Sequence, residues 1–174
     1  MRLRDYILGR RVELTSPLER EAVERAIRSN IKFGFDPFYT GVAGWVRFGR
    51  VSLRWATAMW SNGFQPVFSG KLHSELGSTN MRVRFGAPFY LLLFFGFWYL
   101  TLSSLMITAL GQYVSDPEAS GDLLITVSAA TGMMAFPIAL HFIFNRNANT
   151  HFERIIDMLQ EVADLREKSA GNFT

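Results

Sequence analysis

The stretch APFYLLLFFGFWYLTLSSLMITALGQYV, residues 87–114, decides the architecture of this 174-residue chain because none of its 28 positions carries a charge. As a helix rising 1.5 Å per residue it would reach ~42 Å, whereas the hydrocarbon core of a bilayer is ~30 Å thick. A second uncharged stretch, LLITVSAATGMMAFPIALHFIF at residues 123–144, is also long enough to span a bilayer. The polar loop SDPEASGD, residues 115–122, joins the two. The sequence therefore predicts a transmembrane hairpin over residues 87–145.

The basic residues lie on one side of this predicted hairpin. Residues 1–86 hold 14 Lys and Arg against 7 Asp and Glu, residues 87–145 hold no Lys or Arg, and residues 146–174 hold 4 against 5. Short flanks rich in Lys and Arg remain on the cytoplasmic side of a membrane. We therefore expect both termini of the chain in the cytoplasm. The flanking cations that we expect at anionic lipid headgroups are Arg82, Arg84 and Arg146.

The composition excludes several classes of protein. Apolar residues make up 49% of the chain, a fraction too high for a disordered protein. The chain has no Cys, so it holds neither a disulfide framework nor a Cys-type zinc site. Gly44 and Gly49 have the spacing of a P-loop, but Arg50 and Val51 follow them instead of Lys and Ser or Thr. The motifs GxSxG, HExxH and GxGxxG do not occur, and we expect neither catalytic residues nor an enzymatic activity.

Residues 1–86 are expected to form a small basic α+β domain, with one helix on an antiparallel sheet of four or five strands. Ser16-Pro17-Leu18-Glu19 has the pattern of a capping box at the start of a helix over residues 17–32. From residue 42 onward the apolar period changes to two, which is typical of strands. Gly49-Arg50 is the expected turn of a hairpin. The further strand candidates are residues 11–15, 65–74 and 79–85.

Residues 146–174 are expected to form a separate cytoplasmic amphipathic helix and tail. A second capping box, Thr150-His151-Phe152-Glu153, precedes apolar residues at helical spacing. Glu153, Asp157 and Glu161 follow at a spacing of four and lie on one side of the helix. Two interpretations of this acidic stripe stay open: a solvated face, or a face turned toward the basic domain or a basic partner.

One histidine in the second span is a candidate ligand for a cofactor. Ionisable residues at membrane depth are functional candidates by default, and His141 lies one turn before Arg146. One interpretation is an interfacial side chain that bonds a carbonyl or a headgroup. The other is an axial ligand to haem iron or chlorophyll magnesium, with aromatic surface from Phe94 and Trp98.

The two spans are expected to pack through small residues, because helices approach closely in lipid only where side chains are small. An antiparallel fold at the loop would set Ser104 opposite Thr131, and Thr108 opposite Ser128. Pro137 should bend the second span, because its ring removes the hydrogen bond to the carbonyl of Met133. The residues expected at this interface are Ser104, Thr108, Ser128, Thr131, Gly132 and Ala135.

A further feature is the segment Asn62-Gly63-Phe64-Gln65-Pro66-Val67-Phe68-Ser69-Gly70-Lys71-Leu72, which accompanies the glycine-rich strand near residues 42–48. In these two parts the chain resembles small bacterial inner-membrane proteins. In those proteins a short α+β region precedes two spans, and the resemblance implies a bacterial inner membrane as the location. The resemblance covers about a third of the chain and implies neither an activity nor functional residues.

Two hypotheses of function follow. The first is a non-enzymatic accessory or scaffold subunit docked on a larger integral-membrane complex, of which photosynthetic and respiratory assemblies are examples. The second is a membrane-tethered module that binds a lipid or a small ligand in a cavity of ~300 Å³ or more between helix 17–32 and the sheet. Basic sheets with aromatic side chains also bind single-stranded nucleic acid. The basic residues among aromatics in this domain are Arg47, Arg50, Arg54, Lys71, Arg82 and Arg84. Anionic headgroups better explain cations so near a span, and no nucleic-acid partner is expected.

Overall fold

The computed structural model describes residues 1–34, 36–59, 63–75, 77–115 and 120–168. Asn62 of the quoted motif and residues 116–119 of the predicted loop lie outside these ranges. The helices are α1 (Leu3–Leu8), α2 (Arg20–Asn30), α3 (Phe89–Ser115), α4 (Ser120–Phe144) and α5 (Ala148–Ala163). The strands are β1 (Arg10–Ser16), β2 (Gly41–Arg47), β3 (Arg50–Ala56), β4 (Val67–Glu75), β5 (Ser78–Gly86) and β6 (Arg166–Glu167).

The strands form one antiparallel sheet in the order β2-β3-β4-β5-β1-β6. The alternation of apolar and polar residues had predicted four or five strands, and their positions agree within two residues. The short strand β6 is the addition, because the chain after α5 returns to the edge of the sheet and pairs Glu167 with Leu14. The C-terminal segment therefore completes the sheet that the N-terminal segment begins.

The turn between β2 and β3 lies one residue earlier than predicted. Phe48 and Gly49 form it, with φ angles of +51° and +73°, and Arg50 already belongs to β3. A two-residue hairpin of this hand needs positive φ at both turn positions. The Glu24 carboxylate of α2 stabilises the turn, since its Oε1 accepts a hydrogen bond of 2.8 Å from the Gly49 amide.

Two helices, rather than the single one expected, cover one face of the sheet. Val23 and Ile27 of α2 are fully buried, and Ile155 and Leu159 of α5 are buried with them. The Phe152 ring of α5 lies with its centroid 5.0 Å and 6.2 Å from the rings of Phe85 and Phe68. The amphipathic C-terminal helix is therefore part of the core. Residues 1–88 and the segment from Asn145 onward form one compact unit, in contrast to the separate regions expected.

Both predicted capping boxes are wrong. α2 begins at Arg20 after Glu19, and α5 begins at Ala148 after Asn147. Ser16 is the last residue of β1, and its hydroxyl donates a hydrogen bond of 2.6 Å to the carbonyl of Ala163. The same oxygen accepts a hydrogen bond from the amide of Leu18, which is two residues later. The serine thus joins β1 to the end of α5 and does not cap a helix at its own position.

The second compact unit is the pair of helices α3 and α4. Both helices are long and apolar enough to cross a membrane, with mean hydropathies of 1.8 and 1.9 over their most apolar windows. Only 11% of each window is buried. A core helix of a soluble protein would instead bury most of such a surface.

Candidate functional site: the basic face of the sheet

The face of the sheet that carries no helix presents a continuous row of cations. The register pairs Arg47 with Arg50, Arg50 with Lys71, and Lys71 with Arg82. Glu13 ends the row opposite Arg82. Directly opposed side chains of an antiparallel sheet have Cβ atoms about 5 Å apart, and like charges at such positions are destabilising. We call Arg47, Arg50, Lys71 and Arg82 the basic row.

A shallow depression lies beside the basic row. In the next row of the sheet, Trp45 pairs with Ser52, and Ser52 pairs with Ser69. The short side chains of Ser52 and Ser69 leave a space of about 400 Å³ on this face. Basic side chains surround this space, which we call the basic depression: Arg11, Arg50, Lys71, Arg82 and Arg84.

Three of these cations have no partner among the residues that the structure describes. Arg82 pairs with Glu13, with Nε 3.0 Å from Oε1. By contrast, Arg11, Arg50 and Lys71 make neither an ion pair nor a hydrogen bond within the described ranges. Guanidinium and ammonium groups left unpaired on one surface can bind a phosphate or carboxylate through several charge-assisted hydrogen bonds.

No family model, curated protein or solved structure matches this chain. The geometry of the described residues is therefore the basis for a function. Within those residues, no three His, Asp or Glu side chains lie together where they could bind a metal ion. The basic depression is rich in hydrogen-bond donors and matches an anion.

The three cations expected at headgroups occupy different environments. Arg82 is 78% exposed at its side chain and lies in the basic row. Arg146 is exposed in the turn between α4 and α5. Arg84 is half-buried, and its guanidinium donates hydrogen bonds of 2.8 to 3.2 Å to the carbonyls of Ile7, Leu8 and Ala87. Arg84 therefore holds α1 against the end of β5, a structural task that its position in the sequence did not indicate.

A groove of about 650 Å³ runs along the edge of the sheet beside β2. Ile31 and Phe33, which follow α2, form its apolar wall together with Trp45. Its volume exceeds the ~300 Å³ that the ligand-binding hypothesis required. The groove lies at the C-terminal end of α2, whereas the middle of α2 packs against the sheet through buried Val23 and Ile27. Trp45 lines both the groove and the basic depression.

The arrangement around His141 does not fit a haem or chlorophyll site. His141 is only 3% exposed, so its imidazole presents no open face to a macrocycle. The Trp98 indole lies at Met133, eight residues or about 12 Å along α4 from His141. Phe94 stacks on Trp98 with ring centroids 6.0 Å apart. The three side chains therefore do not form one pocket, and we assign no cofactor to them.

The predicted packing of the two long helices is wrong. Its small residues are exposed, and a Cβ added to Gly132 would meet no atom within 4 Å. Leu102 of α3 and Ala130 of α4 are buried instead. The small face of α4 is therefore open. All six residues predicted at the interface are exposed: Ser104, Thr108, Ser128, Thr131, Gly132 and Ala135.

The bulky side of α3 meets α4 beside Pro137. Proline has no amide hydrogen, so the Met133 carbonyl one turn earlier loses its helical partner. The Trp98 indole donates a hydrogen bond of 3.3 Å to this carbonyl, and the Tyr99 hydroxyl donates one of 2.9 Å to the carbonyl of Met134. An unsatisfied carbonyl in hydrocarbon costs several kcal/mol. The indole of Trp98 thus gives the Met133 carbonyl a partner from the neighbouring helix.

The acidic stripe of α5 is exposed and lies on the helix-covered side of the molecule. Glu153, Asp157 and Glu161 make no ion pair within the described ranges. The interpretation that they face the basic domain of the same chain is therefore wrong, and the solvated-face interpretation agrees with the structure. The three acids therefore lie on the side of the sheet opposite the basic row.

Sequence reasoning found the members of the basic row, but not their alignment. Each of the four strands β2 to β5 carries one member of the basic row, and the sequence shows each member as a basic residue among aromatics. Which of them are direct neighbours depends on the register, and thus on the turn at Phe48 and Gly49. Arg11 was missed, because a cation on the first strand gives no sign that it will lie beside the fifth.

Proposed function

We propose that this protein is a non-enzymatic, membrane-anchored module that binds headgroups of anionic phospholipids at the cytoplasmic face of a bacterial inner membrane. The observation that carries the proposal is the basic row with its unpaired members Arg50 and Lys71. Opposed like charges cost stability in the free protein. A bound phosphate offsets this cost, because it gives each cation an opposite charge.

The hairpin α3–α4 supports the anchoring part of the proposal. α3 has 27 residues and, at 1.5 Å per residue, reaches about 40 Å, enough to cross a bilayer. Because the sheet domain contains chain from before α3 and from after α4, both ends of the hairpin emerge on the same side of the membrane. The Arg residues at 82, 84 and 146 favour the cytoplasmic side.

Lipid is a better match to the basic depression than nucleic acid. Cations near an anionic leaflet contribute about 1 kcal/mol each, so three unpaired cations would contribute about 3 kcal/mol. Arg82 precedes the start of α3 by seven residues, which keeps it near the anchoring point. Binding of single strands needs several aromatic platforms for successive bases, whereas Trp45 is the aromatic residue that lines the depression. The neighbouring apolar groove could take part of a lipid chain.

A titration with a soluble anionic lipid tests the proposal. The full chain in a non-ionic detergent would be titrated with dihexanoyl phosphatidylglycerol, and with the zwitterionic dihexanoyl phosphatidylcholine as comparison. We expect Arg50→Glu to weaken phosphatidylglycerol binding roughly thirtyfold, since it removes one attraction and adds one repulsion of about 1 kcal/mol each near the surface, and about 1.4 kcal/mol corresponds to a factor of ten.

The matched control is Arg25→Glu, which makes the same charge change on the exposed side of α2, away from the basic depression. We expect this variant to bind as the wild type does. Equal affinity for the two lipids, or equal weakening by the two substitutions, would contradict headgroup binding at the basic depression.

The open small face of α4 favours a second candidate, an accessory subunit of a larger integral-membrane complex. Small residues let helices approach closely in lipid, and Thr131, Gly132 and Ala135 are exposed on α4. Gly132→Leu should then release a partner that co-purifies in gentle detergent, while the pairing of α3 with α4 persists. Retention of that partner at the wild-type level would contradict the docking of a partner on this face.

A further inference from the structure

The end of the sheet from which the chain enters α3 can be located from the strand register. Gly86, the last residue of β5, pairs with Val67, the first residue of β4. Further across the sheet, Ala56 at the end of β3 pairs with Gly41 at the start of β2. The loops before β2 and after β3 therefore extend from the same end of the sheet as the connection to α3.

Exposed apolar side chains lie at this end. Phe38 and Met59 are 77% and 80% exposed, and their loops are tied together by a hydrogen bond of 2.6 Å from the Met59 amide to the Pro37 carbonyl. Met59 has a φ of +58°, an uncommon conformation for a side chain of this size. The hydrogen bond and this backbone conformation accompany an exposed Met59 side chain.

Helix α1 adds two more apolar side chains at the same end. Ile7 and Leu8 are 45% and 58% exposed, and their carbonyls accept hydrogen bonds from Arg84 of β5. The amide of Ala87 donates to the carbonyl of Tyr6 at 2.8 Å, so α1 is fixed beside the exit of the chain. We call Ile7, Leu8, Phe38 and Met59 the apolar rim.

Chain connectivity places the apolar rim near the bilayer. Only residues 87 and 88 separate the end of β5 from α3, and an extended chain covers at most about 3.5 Å per residue. If α3 crosses the membrane, this end of the sheet cannot be far from its surface. Fully burying a large apolar side chain is worth about 1.5–3 kcal/mol, so exposure of four of them to water beside a lipid surface is unfavourable.

We infer that the apolar rim inserts into the interface of the membrane that α3 spans, and docks the sheet domain on it. The inference rests on the anchoring part of the proposed function and not on headgroup binding by the basic depression. The contact is apolar, so it does not require anionic lipid. Phe48 is the natural comparison, because it is 85% exposed but lies at the opposite end of β2. The seven residues of β2 separate the loops that carry the two rings by about 20 Å along the strand.

Spin labels test this inference directly, because the chain contains no Cys. Phe38→Cys and Phe48→Cys would each carry a nitroxide, in the full chain reconstituted in phosphatidylcholine vesicles. Both positions are exposed, so labelling does not disturb the core. Power saturation then compares collisions with oxygen, which concentrates in lipid, and with a water-soluble nickel chelate. A label at Leu8, made in the same way, probes α1 independently.

We expect the labels at residues 38 and 8 to favour oxygen, and the label at residue 48 to favour the nickel chelate. Equal access of the chelate to residues 38 and 48 would overturn the inference, as would a shielded label at residue 48. The result is separable from the proposed function: water-exposed labels at the rim, with lipid binding still weakened by Arg50→Glu, would reject the rim and leave headgroup binding standing.

Discussion

The two faces of the sheet use alternate residues of the same strands for opposite purposes. On the covered face, Leu53, Phe68 and Met81 are fully buried beneath α2 and α5. On the open face, Arg50 and Lys71 stand opposite each other without a partner among the described residues. The covered face stabilises the fold, whereas the open face lowers stability through repulsion. This contrast is the basis of our proposal that the open face binds an anionic ligand, which would offset the repulsion.

The largest expected effect belongs to the covered face. Phe68→Ala should lower the free energy of unfolding of the sheet domain by about 3–5 kcal/mol, because it leaves a cavity in a closed core. Phe48→Ala makes the same change at a ring that is 85% exposed and should have little effect. Chemical denaturation of the full chain in detergent, followed by the near-ultraviolet signal, measures both. Similar losses for the two variants would contradict the division between the faces.

The hairpin offers the same contrast on α4. Ala130 is 1% exposed and Gly132 lies in open space. Ala130→Leu should overpack the contact with α3 at a cost of about 1–3 kcal/mol, whereas Gly132→Leu should leave it intact. Cysteines placed at residues 99 and 134 and joined by a short bifunctional maleimide report the pairing. Loss of cross-linking in the Gly132→Leu variant, but not in Ala130→Leu, would contradict the observed contact and support an interface of small residues.

A smaller effect sharpens the explanation of that hairpin. Trp98→Phe removes the donor to the Met133 carbonyl and should weaken the pairing of the helices by about 0.6 kcal/mol, the average for such bonds in membranes. In a Pro137→Ala background the same substitution should cost less, because Ala supplies the missing amide hydrogen. The coupling between the two changes is measured by a double-mutant cycle on helix pairing. Strictly additive effects would contradict a hydrogen bond from the Trp98 indole to the Met133 carbonyl that compensates for the missing amide of Pro137.

The strands and the apolar helices could be predicted from the sequence because each depends on local periodicity. The period of two predicted the bounds of β2 to β5 within two residues, and the two uncharged stretches predicted the helices α3 and α4. The capping boxes failed because a serine can bond elsewhere: Ser16 donates to a carbonyl 147 residues away. The apolar stripe of α5 showed that one side of the helix would be buried, but not that the sheet would cover it.

The basic row shows the limit of prediction most clearly. A turn at residues 49–50 would have set Arg47 opposite Ser52, and the cations of β2 and β3 would not have been direct neighbours. The observed turn at Phe48 and Gly49 pairs Arg47 with Arg50. The packing of α3 on α4 failed for a different reason. Composition favoured the small residues, whereas in the structure Trp98 and Tyr99 of α3 donate hydrogen bonds to carbonyls of α4 beside Pro137.

The central claim is that the basic row lowers stability until an anionic lipid binds it. The most direct measurement is the midpoint of thermal unfolding of the sheet domain for wild type and Lys71→Gln, in nanodiscs of phosphatidylcholine and of phosphatidylglycerol, with Arg25→Gln as control. The account predicts that Lys71→Gln raises the midpoint in phosphatidylcholine, where repulsion is relieved, and lowers it in phosphatidylglycerol, where a lipid contact is lost. A change of the same sign in both lipids would contradict the account.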